Sequence, residues 1–227
     1  MYTAAVVTVD GPSGSGKGTI SRAVARHAGW HLLDSGALYR LVALAGLQNG
    51  LLPDDISGHG ALASSMQVSF GVRADGGELV TLFGRDVTLE VRSELAGQGA
   101  SQVAAWPEVR SALLGRQRAF CRPPGLVADG RDMGSVVFPE ATLKIFLTAT
   151  LAERALRRYK QLKDKGSDVS LPALSREIAE RDLRDSTRQA SPLKAAPDAH
   201  TIDSTGLTID AVVERVLELG RSGSLWG

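Results

Sequence analysis

The chain has little of several features that would place it in other protein classes. It contains a single cysteine, Cys121, so no disulfide forms within the chain and a reducing compartment, the cytoplasm, is expected. Its apolar runs are far shorter than the roughly 18 residues of a membrane span. The first run is broken by Asp10 and Gly11, unlike a signal peptide. The net charge is +1, without the basic excess of a nucleic-acid binder. We therefore expect neither a membrane nor a nucleic acid as partner.

The patterning that is present predicts an α/β fold. With 227 residues, of which 43% are hydrophobic, the chain is long enough to bury a core without disulfide or metal. Short apolar runs predict strands at residues 4–9, 31–33, 125–128, 143–147 and 201–202. Helical periodicity predicts helices at 17–28, 37–50, 152–162, 171–188 and 209–219. Strands alternating with helices indicate a parallel sheet covered on both faces.

Residues 66–92 break this rhythm. Apolar residues alternate at Val68, Phe70 and Val72, and a turn at residues 75–77 leads to a second strand-like run at 79–83. We predict a small antiparallel meander, with residues 84–86 forming a further turn. Because the surrounding chain is α/β, this segment suggests an inserted lobe at about residues 60–100. The last residues, 221–227, are predicted to be frayed.

A glycine-rich loop lies between the first predicted strand and helix. Residues 11–19 read GPSGSGKGT and fit the phosphate-loop pattern G-x-x-x-x-G-K in its strand–loop–helix context. Backbone N–H groups of such a loop surround phosphate oxygens, and Lys17 adds a full positive charge. The other interpretation is a glycine-rich turn with a solvated lysine. The predicted ATP-binding residues are Gly11, Pro12, Ser13, Gly14, Ser15, Gly16, Lys17, Gly18 and Thr19.

Two features of the chain bear on a magnesium ion. Gly18 stands where a phosphate loop usually carries the Ser or Thr that meets Mg²⁺, and Thr19 comes one residue later. Asp129 ends a predicted buried strand, where a carboxylate faces the ligand crevice of an open α/β sheet. We expect Thr19 and Asp129 to hold Mg²⁺, directly or through water. Asp129 could instead be an ordinary turn residue, and Asp10 could simply organise its turn.

Arginines recur downstream of the loop. Arg131 follows Asp129; Arg154 and Arg158 share one helical face, and Arg181, Arg184, Asp185 and Arg188 share another. Such faces suit two phosphates, although a solvated charged face is the other interpretation. The polar segment 160–168 between them suits a mobile lid or a plain surface loop. No His/Cys pattern suggests zinc.

Together these motifs resemble the bacterial cytidylate kinase family over essentially the full chain. The matching stretches are DGPSGSGKGT at 10–19, WHLLDSGALYR at 30–40, ASQVA at 100–104, PEVR at 107–110, RQRAF at 116–120, ADGRDMG at 128–134, VFP at 137–139 and RDLRDSTR at 181–188. The G-K-G-T form of the loop is typical of nucleoside-monophosphate kinases. The phosphate loop by itself indicates only a nucleotide, whereas LLDSGALYR, ASQVA and DGRDMG are far more specific.

The resemblance implies a fold and an assembly. It implies a monomeric, single-domain P-loop kinase with three α/β/α layers and a five-stranded parallel sheet. The core would comprise residues 1–59 and 101–227, with a short helical lid at about 159–169. The antiparallel β lobe at about 60–100 would bind the acceptor nucleotide.

The resemblance also implies an activity in pyrimidine metabolism. This is Mg²⁺-dependent transfer of the γ-phosphoryl of ATP to CMP or dCMP, giving CDP or dCDP and ADP. It implies that Ser35, Arg110 and Asp132 read the cytosine edge, and that Arg40, Arg131 and Arg188 hold the acceptor phosphate. Ser101, Arg181 and Asp185 would contact the sugar, and Tyr39 would border the acceptor site. The residues given catalytic roles are Lys17, Arg131, Arg154, Arg158 and Arg188.

Two alternatives remain open from the residues themselves. A P-loop kinase could act on another small acceptor, such as UMP, AMP or a metabolite like shikimate. A nucleotide-binding module could bind ATP without transferring phosphate. The arginines positioned for a second phosphate argue against the second alternative.

Overall fold

The structure, a computed structural model, describes residues 3–164 and 166–226. The chain forms two units: the first runs up to Asp34 and resumes at Arg118, and the second spans Ser35–Gln117. The phosphate loop lies in the first unit and the segment at 60–100 in the second. Lys165 of the predicted lid lies outside the described residues, as do residues 1, 2 and 227 of the predicted core.

The secondary structure alternates between strands and helices along most of the chain. In chain order the elements are β1 (Ala5–Asp10), α1 (Lys17–Ala28), β2 (His31–Asp34), α2 (Ser35–Gln48), α3 (Ile56–Ser65), β3 (Val68–Val72), β4 (Glu78–Leu82), β5 (Arg85–Asp86), a 3₁₀ turn (Glu90–Arg92), α4 (Glu94–Val103), α5 (Pro107–Arg118), β6 (Gly125–Gly130), a π-helical turn (Met133–Val137), β7 (Leu143–Thr148), α6 (Leu151–Lys163), α7 (Leu171–Thr187), β8 (His200–Asp203) and α8 (Ile209–Ser222).

A five-stranded parallel sheet is the centre of the first unit. Its strand order is β2-β6-β1-β7-β8, so β1 lies in the middle and pairs with both β6 and β7. All five predicted strands are confirmed; β1 is shifted by one residue, and each of the others is extended by one or two residues. Because every strand of such a sheet points the same way, the carboxyl ends of β1, β2, β6 and β7 bring Asp10, Asp34, Asp129 and Thr148 to one edge.

The core of this unit is built on β1. Val7 and Val9 are fully buried and pack in one cluster with Val127 of β6 and Ile145 of β7. Helix α1 contributes Val24 to the same cluster, because its apolar residues recur on one helical face. Two-sided burial explains why these strands read as continuous apolar runs. Among the described residues, no helix combines the length and apolarity needed to cross a membrane.

The second unit contains the antiparallel sheet. β3 pairs with β4 from Val68↔Leu82 to Val72↔Glu78, and β4 pairs with β5. The predicted meander is therefore confirmed, but the prediction of a simple turn over residues 84–86 was wrong at Arg85 and Asp86. Phe83 and Gly84 both have positive φ, of 50° and 78°, and make a two-residue hairpin turn. The chain then returns at once, and Arg85 pairs with Leu82.

The end of the chain is more ordered than its sequence predicts. Helix α8 continues to Ser222, and the indole N–H of Trp226 donates to the carbonyl of Leu217 at 3.0 Å. The ring of Trp226 also meets that of Trp30 edge-on, with centroids 5.6 Å apart. The prediction of a frayed terminus was therefore wrong for residues 221–226, because an apolar ring close behind a helix can fold back onto its core.

Candidate functional site

The phosphate loop adopts a conformation that depends on its glycines. Gly11, Gly14 and Gly16 have φ of 155°, 77° and 93°, which disfavour residues with a Cβ. A Cβ at Gly11 would also lie only 2.0 Å from the carbonyl oxygen of Leu147 in β7. Gly16 is the N-cap residue of α1, so the loop ends at the positive end of that helix dipole. This geometry suits an anionic ligand.

The lysine of the loop lies among several charges of the first unit. Its ammonium donates to the carbonyl of Pro12 at 3.1 Å. Burial lowers the pKa of Lys17, and the positive charges of Arg131 and Arg181 lower it further, whereas Asp129 and Asp34 oppose them. Three cations are thus close enough to influence one another. Such an arrangement stabilises bound phosphate, whose negative charge would relieve their repulsion.

Asp129, at the carboxyl end of β6, fits a metal-binding role. Burial raises the pKa of its carboxyl group, while Lys17 lowers it. Its Oδ1 is buried and has no hydrogen-bond partner among the described residues. A metal ion or a metal-bound water would satisfy that oxygen. Thr19, the other predicted Mg²⁺ residue, is exposed in the first turn of α1.

The position of Asp129 explains why glycine, and not the common serine or threonine, follows the lysine of the loop at residue 18. A Cβ at this position would lie 3.1 Å from Oδ2 of Asp129. That is closer than ordinary van der Waals contact, so a serine or threonine would crowd the carboxylate.

Asp10 links the strand before the loop to the segment after Asp129. Its two carboxylate oxygens accept hydrogen bonds from the amides of Met133 and Gly134, each at 2.8 Å. Burial raises the pKa of Asp10 to about 7, although these two amides lower it. Because Arg131 and Asp132 directly precede the bonded amides, Asp10 fixes the backbone that carries them. This agrees with a role in organising structure.

Three of the predicted arginines surround one carboxylate. Asp185 on α7 is buried and accepts from Nε of Arg131 at 3.1 Å, and Arg181 lies 3.9 Å from it. Burial would raise the pKa of Asp185, but the charges of Arg131, Arg181 and Arg188 outweigh it and hold the pKa below its ordinary value. The cluster keeps an excess of positive charge. Arg184, on the same predicted face, is exposed instead.

The arginines of α6 differ from their predicted arrangement in one respect. Arg154 donates to the carbonyls of Ser13 and Ala149 at 3.0 Å each, and therefore touches the phosphate loop from outside. Arg158 donates to Gln161 on the exposed side of the helix. The residue that joins Arg154 at the loop is Arg157, whose Nη1 lies 3.3 Å from the carbonyl oxygen of Ser15. Sequence reasoning passed over it.

The second unit holds the remaining predicted residues. Ser35 begins α2 and is buried, as are Tyr39 on the same helix and Ser101 on α4. The guanidinium of Arg110 lies 5.9 Å from the centre of the Tyr39 ring and donates to the carbonyl of Ala104 at 3.2 Å. Arg40 donates to the carbonyl of Val91. Packing of α2 against α4 thus brings polar groups of this unit together.

Two further charged residues of the first unit were not predicted. Asp182, one turn before Asp185, pairs with Arg154 at 2.6 Å. Asp34, at the end of β2, acts electrostatically on both Lys17 and Asp129. A carboxylate at the end of a parallel strand was a usable signal for Asp34, as it was for Asp129. For Asp182 the spacing to Asp185 offered only a helical-face argument.

Comparison with known proteins agrees with this geometry. The family model for cytidylate kinase matches residues 7–222. The cytidylate kinase of Shewanella denitrificans is 56% identical over 214 residues, covering 94% of each chain. That of Methylococcus capsulatus is 53% identical over 220 residues, covering 97% of this chain and 98% of its own. A solved structure of an uncharacterised protein from Eubacterium ventriosum shares the fold alone, with a TM-score of 0.51 at 9% identity and coverage of 95% and 97%. The chain therefore belongs to the cytidylate kinase family.

Proposed function

We propose that the protein transfers the γ-phosphoryl group of ATP to CMP and dCMP, giving ADP with CDP or dCDP. The observation that carries this proposal is the group of cations in the first unit, where Arg131 and Arg181 act on the loop lysine, Lys17. Repelling cations held this close favour a highly charged ligand. Two phosphate-bearing substrates supply that charge, and the acceptor phosphate is already ionised, so no strong general base is needed.

The donor residues of the proposal are the loop residues 11–19 with the arginines of α6. Glycine-dependent turns aim backbone N–H groups at phosphate oxygens, and Lys17 adds its charge to them. Arg154 and Arg158 are proposed to stabilise the ATP phosphates as the segment at about 159–169 closes as a lid. The transferring group then reacts away from water, which would otherwise accept it.

Magnesium is proposed to accompany ATP. The buried Oδ1 of Asp129 has no hydrogen-bond partner in the part of the chain that the structure describes, and a metal-bound water would fit there. Thr19 is proposed to offer a hydroxyl as well. In the described ranges, 3–164 and 166–226, no three His, Cys, Asp or Glu side chains converge as a metal cage. Mg²⁺ that is bound together with a nucleotide takes most of its ligands from phosphates and water. When bound, Mg²⁺ supplies charge that screens the donor phosphates from the acceptor anion.

The acceptor residues are proposed by matching position. Arg40, Arg131 and Arg188 would hold the phosphate of CMP, and Arg181, Asp185 and Ser101 would contact its sugar, with Tyr39 bordering them. Cytosine presents one amine donor and carbonyl and ring-nitrogen acceptors at its edge. The carboxylate of Asp132 would accept from the amine, and Arg110 and Ser35 would donate to the carbonyl and the ring nitrogen. The lobe at about 60–100 is proposed to help bind this nucleotide. The protein is proposed to be a monomer in the cytoplasm.

Turnover with a panel of acceptors tests the proposal. We expect fast ADP formation from ATP and Mg²⁺ with CMP and dCMP, and little with UMP, AMP or shikimate. Fast turnover with another acceptor would keep the phosphate-loop argument and reject the cytosine assignment. ATP binding with no turnover on any acceptor would favour the non-catalytic alternative.

Base reading is tested separately at Asp132. Asparagine offers an N–H donor where aspartate only accepts, so Asp132→Asn is expected to shift the CMP-to-UMP ratio of kcat/KM towards UMP by at least about tenfold, or 1.4 kcal/mol. Asp54→Asn, at an exposed position of the second unit, is the control and should leave the ratio unchanged. An unchanged ratio in Asp132→Asn would reject this residue as a base reader.

A further inference from the structure

Arg157 lies outside every predicted site, yet it contacts the phosphate loop. It follows Arg154 by one helical turn on α6, and its Nη1 donates to the carbonyl of Ser15 at 3.3 Å and to Oγ of Ser204 at 3.0 Å. Its Nη2 donates to the carbonyl of Ser204 at 2.6 Å. Nε donates to Glu153 at 2.9 Å, which fixes the plane of the guanidinium. All three guanidinium nitrogens of Arg157 therefore donate hydrogen bonds. Nη1 and Nη2 reach beyond α6, to Ser15 and Ser204.

Ser204 also lies close to the carbonyl of Ser15. It follows β8 directly and is only 2% exposed. Its Oγ lies 3.2 Å from the carbonyl oxygen of Ser15 and 2.9 Å from that of Thr148, and its amide also donates to Thr148 at 2.8 Å. The Ser15 carbonyl is thus within hydrogen-bond reach of α6 and of the segment after β8.

Because the peptide bond is planar, a contact that holds the carbonyl of Ser15 also fixes the direction of the next N–H group of the loop. In a trans peptide the carbonyl of one residue and the N–H of the next point in opposite directions. Holding the carbonyl of Ser15 outward therefore directs the N–H of Gly16 inward. Arg154 does the same for the N–H of Gly14, by binding the carbonyl of Ser13. Two arginines one turn apart thus fix alternate peptides of a loop whose glycines would otherwise leave it mobile.

We propose that Arg157, together with Ser204, is a positioning residue for the donor nucleotide, which orients the Gly16 amide towards the phosphates of ATP. The inference rests on the proposed ATP site and adds to it a residue that does not itself touch the ligand. A guanidinium suits this position because, while Nη1 reaches the carbonyl of Ser15, Nη2 and Nε of the same rigid group bond the carbonyl of Ser204 and Glu153. The ammonium of a lysine has three donors on one nitrogen, so it cannot reach these three separated acceptors at once.

Two variants test this role, and each reaches the Ser15 carbonyl by a different route. Arg157→Lys keeps the charge but loses the fork, and Ser204→Ala removes the hydroxyl. We expect Arg157→Lys to raise the Kd for MgATP at least about tenfold, because a hydrogen bond to a charged phosphate is worth about 1.5–3 kcal/mol. Ser204→Ala should raise it about threefold to tenfold by the same reasoning. The Kd for CMP, titrated alone, should change less than twofold in both.

A matched control separates positioning from stability. Arg118 also donates to two backbone carbonyls, those of Val136 and Val137, but these lie outside the phosphate loop. Arg118→Lys should lower the Tm much as Arg157→Lys does, and leave the Kd for MgATP unchanged. A merely structural Arg157 would behave in the same way as this control.

Every outcome bears on the proposal. An unchanged Kd for MgATP in folded Arg157→Lys, or an equal rise in both Kd values, would overturn it while leaving the kinase function intact. If Arg157→Lys does not fold, Ser204→Ala decides, and an unchanged Kd for MgATP there overturns the proposal. Failure of the wild type to bind ATP would overturn the proposed function, and this inference with it.

Discussion

Asp182 forms an ion pair with Arg154, with its Oδ2 2.6 Å from Nη1, which joins α7 to α6 and, through Arg154, to the phosphate loop. The arginine side chain is 7% exposed and the aspartate side chain 24% exposed, so water screens this pair little. Removing one partner of such a pair leaves the other as an uncompensated buried charge.

Asp182→Asn is therefore expected to lower the free energy of unfolding by about 2–4 kcal/mol, slightly less than for a fully buried pair. Urea denaturation at pH 7 measures the change. Asp168→Asn is the matched control, because its pair with Lys163 is exposed and such pairs contribute less than about 1 kcal/mol. Equal losses in the two variants would show that the Asp182–Arg154 pair stabilises the fold no more than an exposed ion pair does.

The C-terminal tryptophan gives a second stability prediction. A Cβ on Gly220 would lie 1.9 Å from the ring of Trp226, so Gly220→Ala forces that ring away from α8. We expect a loss of about 1–3 kcal/mol from overpacking. In a Trp226→Ala background the clash is absent, and alanine in place of a helical glycine should then be neutral or stabilising by up to about 1 kcal/mol.

A double-mutant cycle of these two substitutions, followed by thermal denaturation, measures their coupling. Additive effects would mean that Trp226 does not pack on Gly220 in solution.

Sequence patterning was most successful where one physical cause dominated. The buried strands and the phosphate loop were predicted because apolar runs and glycine spacing report burial and backbone conformation directly. Helix α3 was not assigned, because its sequence ISGHGALASS has few strong helix formers. It is capped by Asp55, whose side chain accepts from the amide of Gly58. Packing against α2 stabilises it, and such contacts cannot be deduced from local propensity.

The candidate site shows the same limit. Strand-end geometry predicted the edge position of Asp129, and the spacing on α7 predicted that Arg181 and Asp185 are neighbours. Arg157 was missed because Arg154 and Arg158 share a helical face by the i, i+4 rule. Which of two adjacent arginines meets the loop depends on the rotation of α6 about its axis. That rotation is set by tertiary contacts such as the hydrogen bonds from Arg157 to Ser204 and from Arg154 to Ser13.

Asp10 gives a prediction for the pH dependence of stability. Its pKa is raised from 3.8 to about 7 in the folded protein, chiefly by burial and also by the charges of Asp132 and Asp129. Between these two values the folded state binds more protons at this group than the unfolded state does. The contribution of Asp10 to the free energy of unfolding is therefore full below pH 3.8 and declines as pH rises towards about 7.

Asp10→Asn removes this titration, and it also removes one of the acceptors of the Met133 and Gly134 amides. The variant should be less stable overall, and its free energy of unfolding should fall less steeply than that of the wild type between pH 5 and 7. The difference in slope is at most about 1.4 kcal/mol per pH unit for one proton. Urea denaturation series at several pH values measure both slopes, and parallel slopes would contradict a raised pKa at Asp10.

Lys17 gives predictions for turnover and for proton uptake. Lys17→Ala should abolish nearly all phosphoryl transfer while keeping the Tm close to that of the wild type, because within the described part of the chain the ammonium donates to a single loop carbonyl, that of Pro12. Wild-type turnover in that variant would refute the assignment of the phosphate loop.

Proton uptake on ATP binding tests the electrostatics of the same residue. Burial and the neighbouring arginines lower the pKa of Lys17 from 10.5 to about 7, so we expect its amine to lose its charge in the free protein as the pH rises to 8. Bound phosphates favour the charged form and raise that pKa again, so we expect ATP binding to take up protons. Calorimetry without Mg²⁺, in buffers of different ionisation enthalpy, measures this uptake. Lys17→Arg should bind ATP without it, since a guanidinium stays protonated throughout. Equal uptake in the two proteins would assign the proton to another group and leave Lys17 charged in the free enzyme.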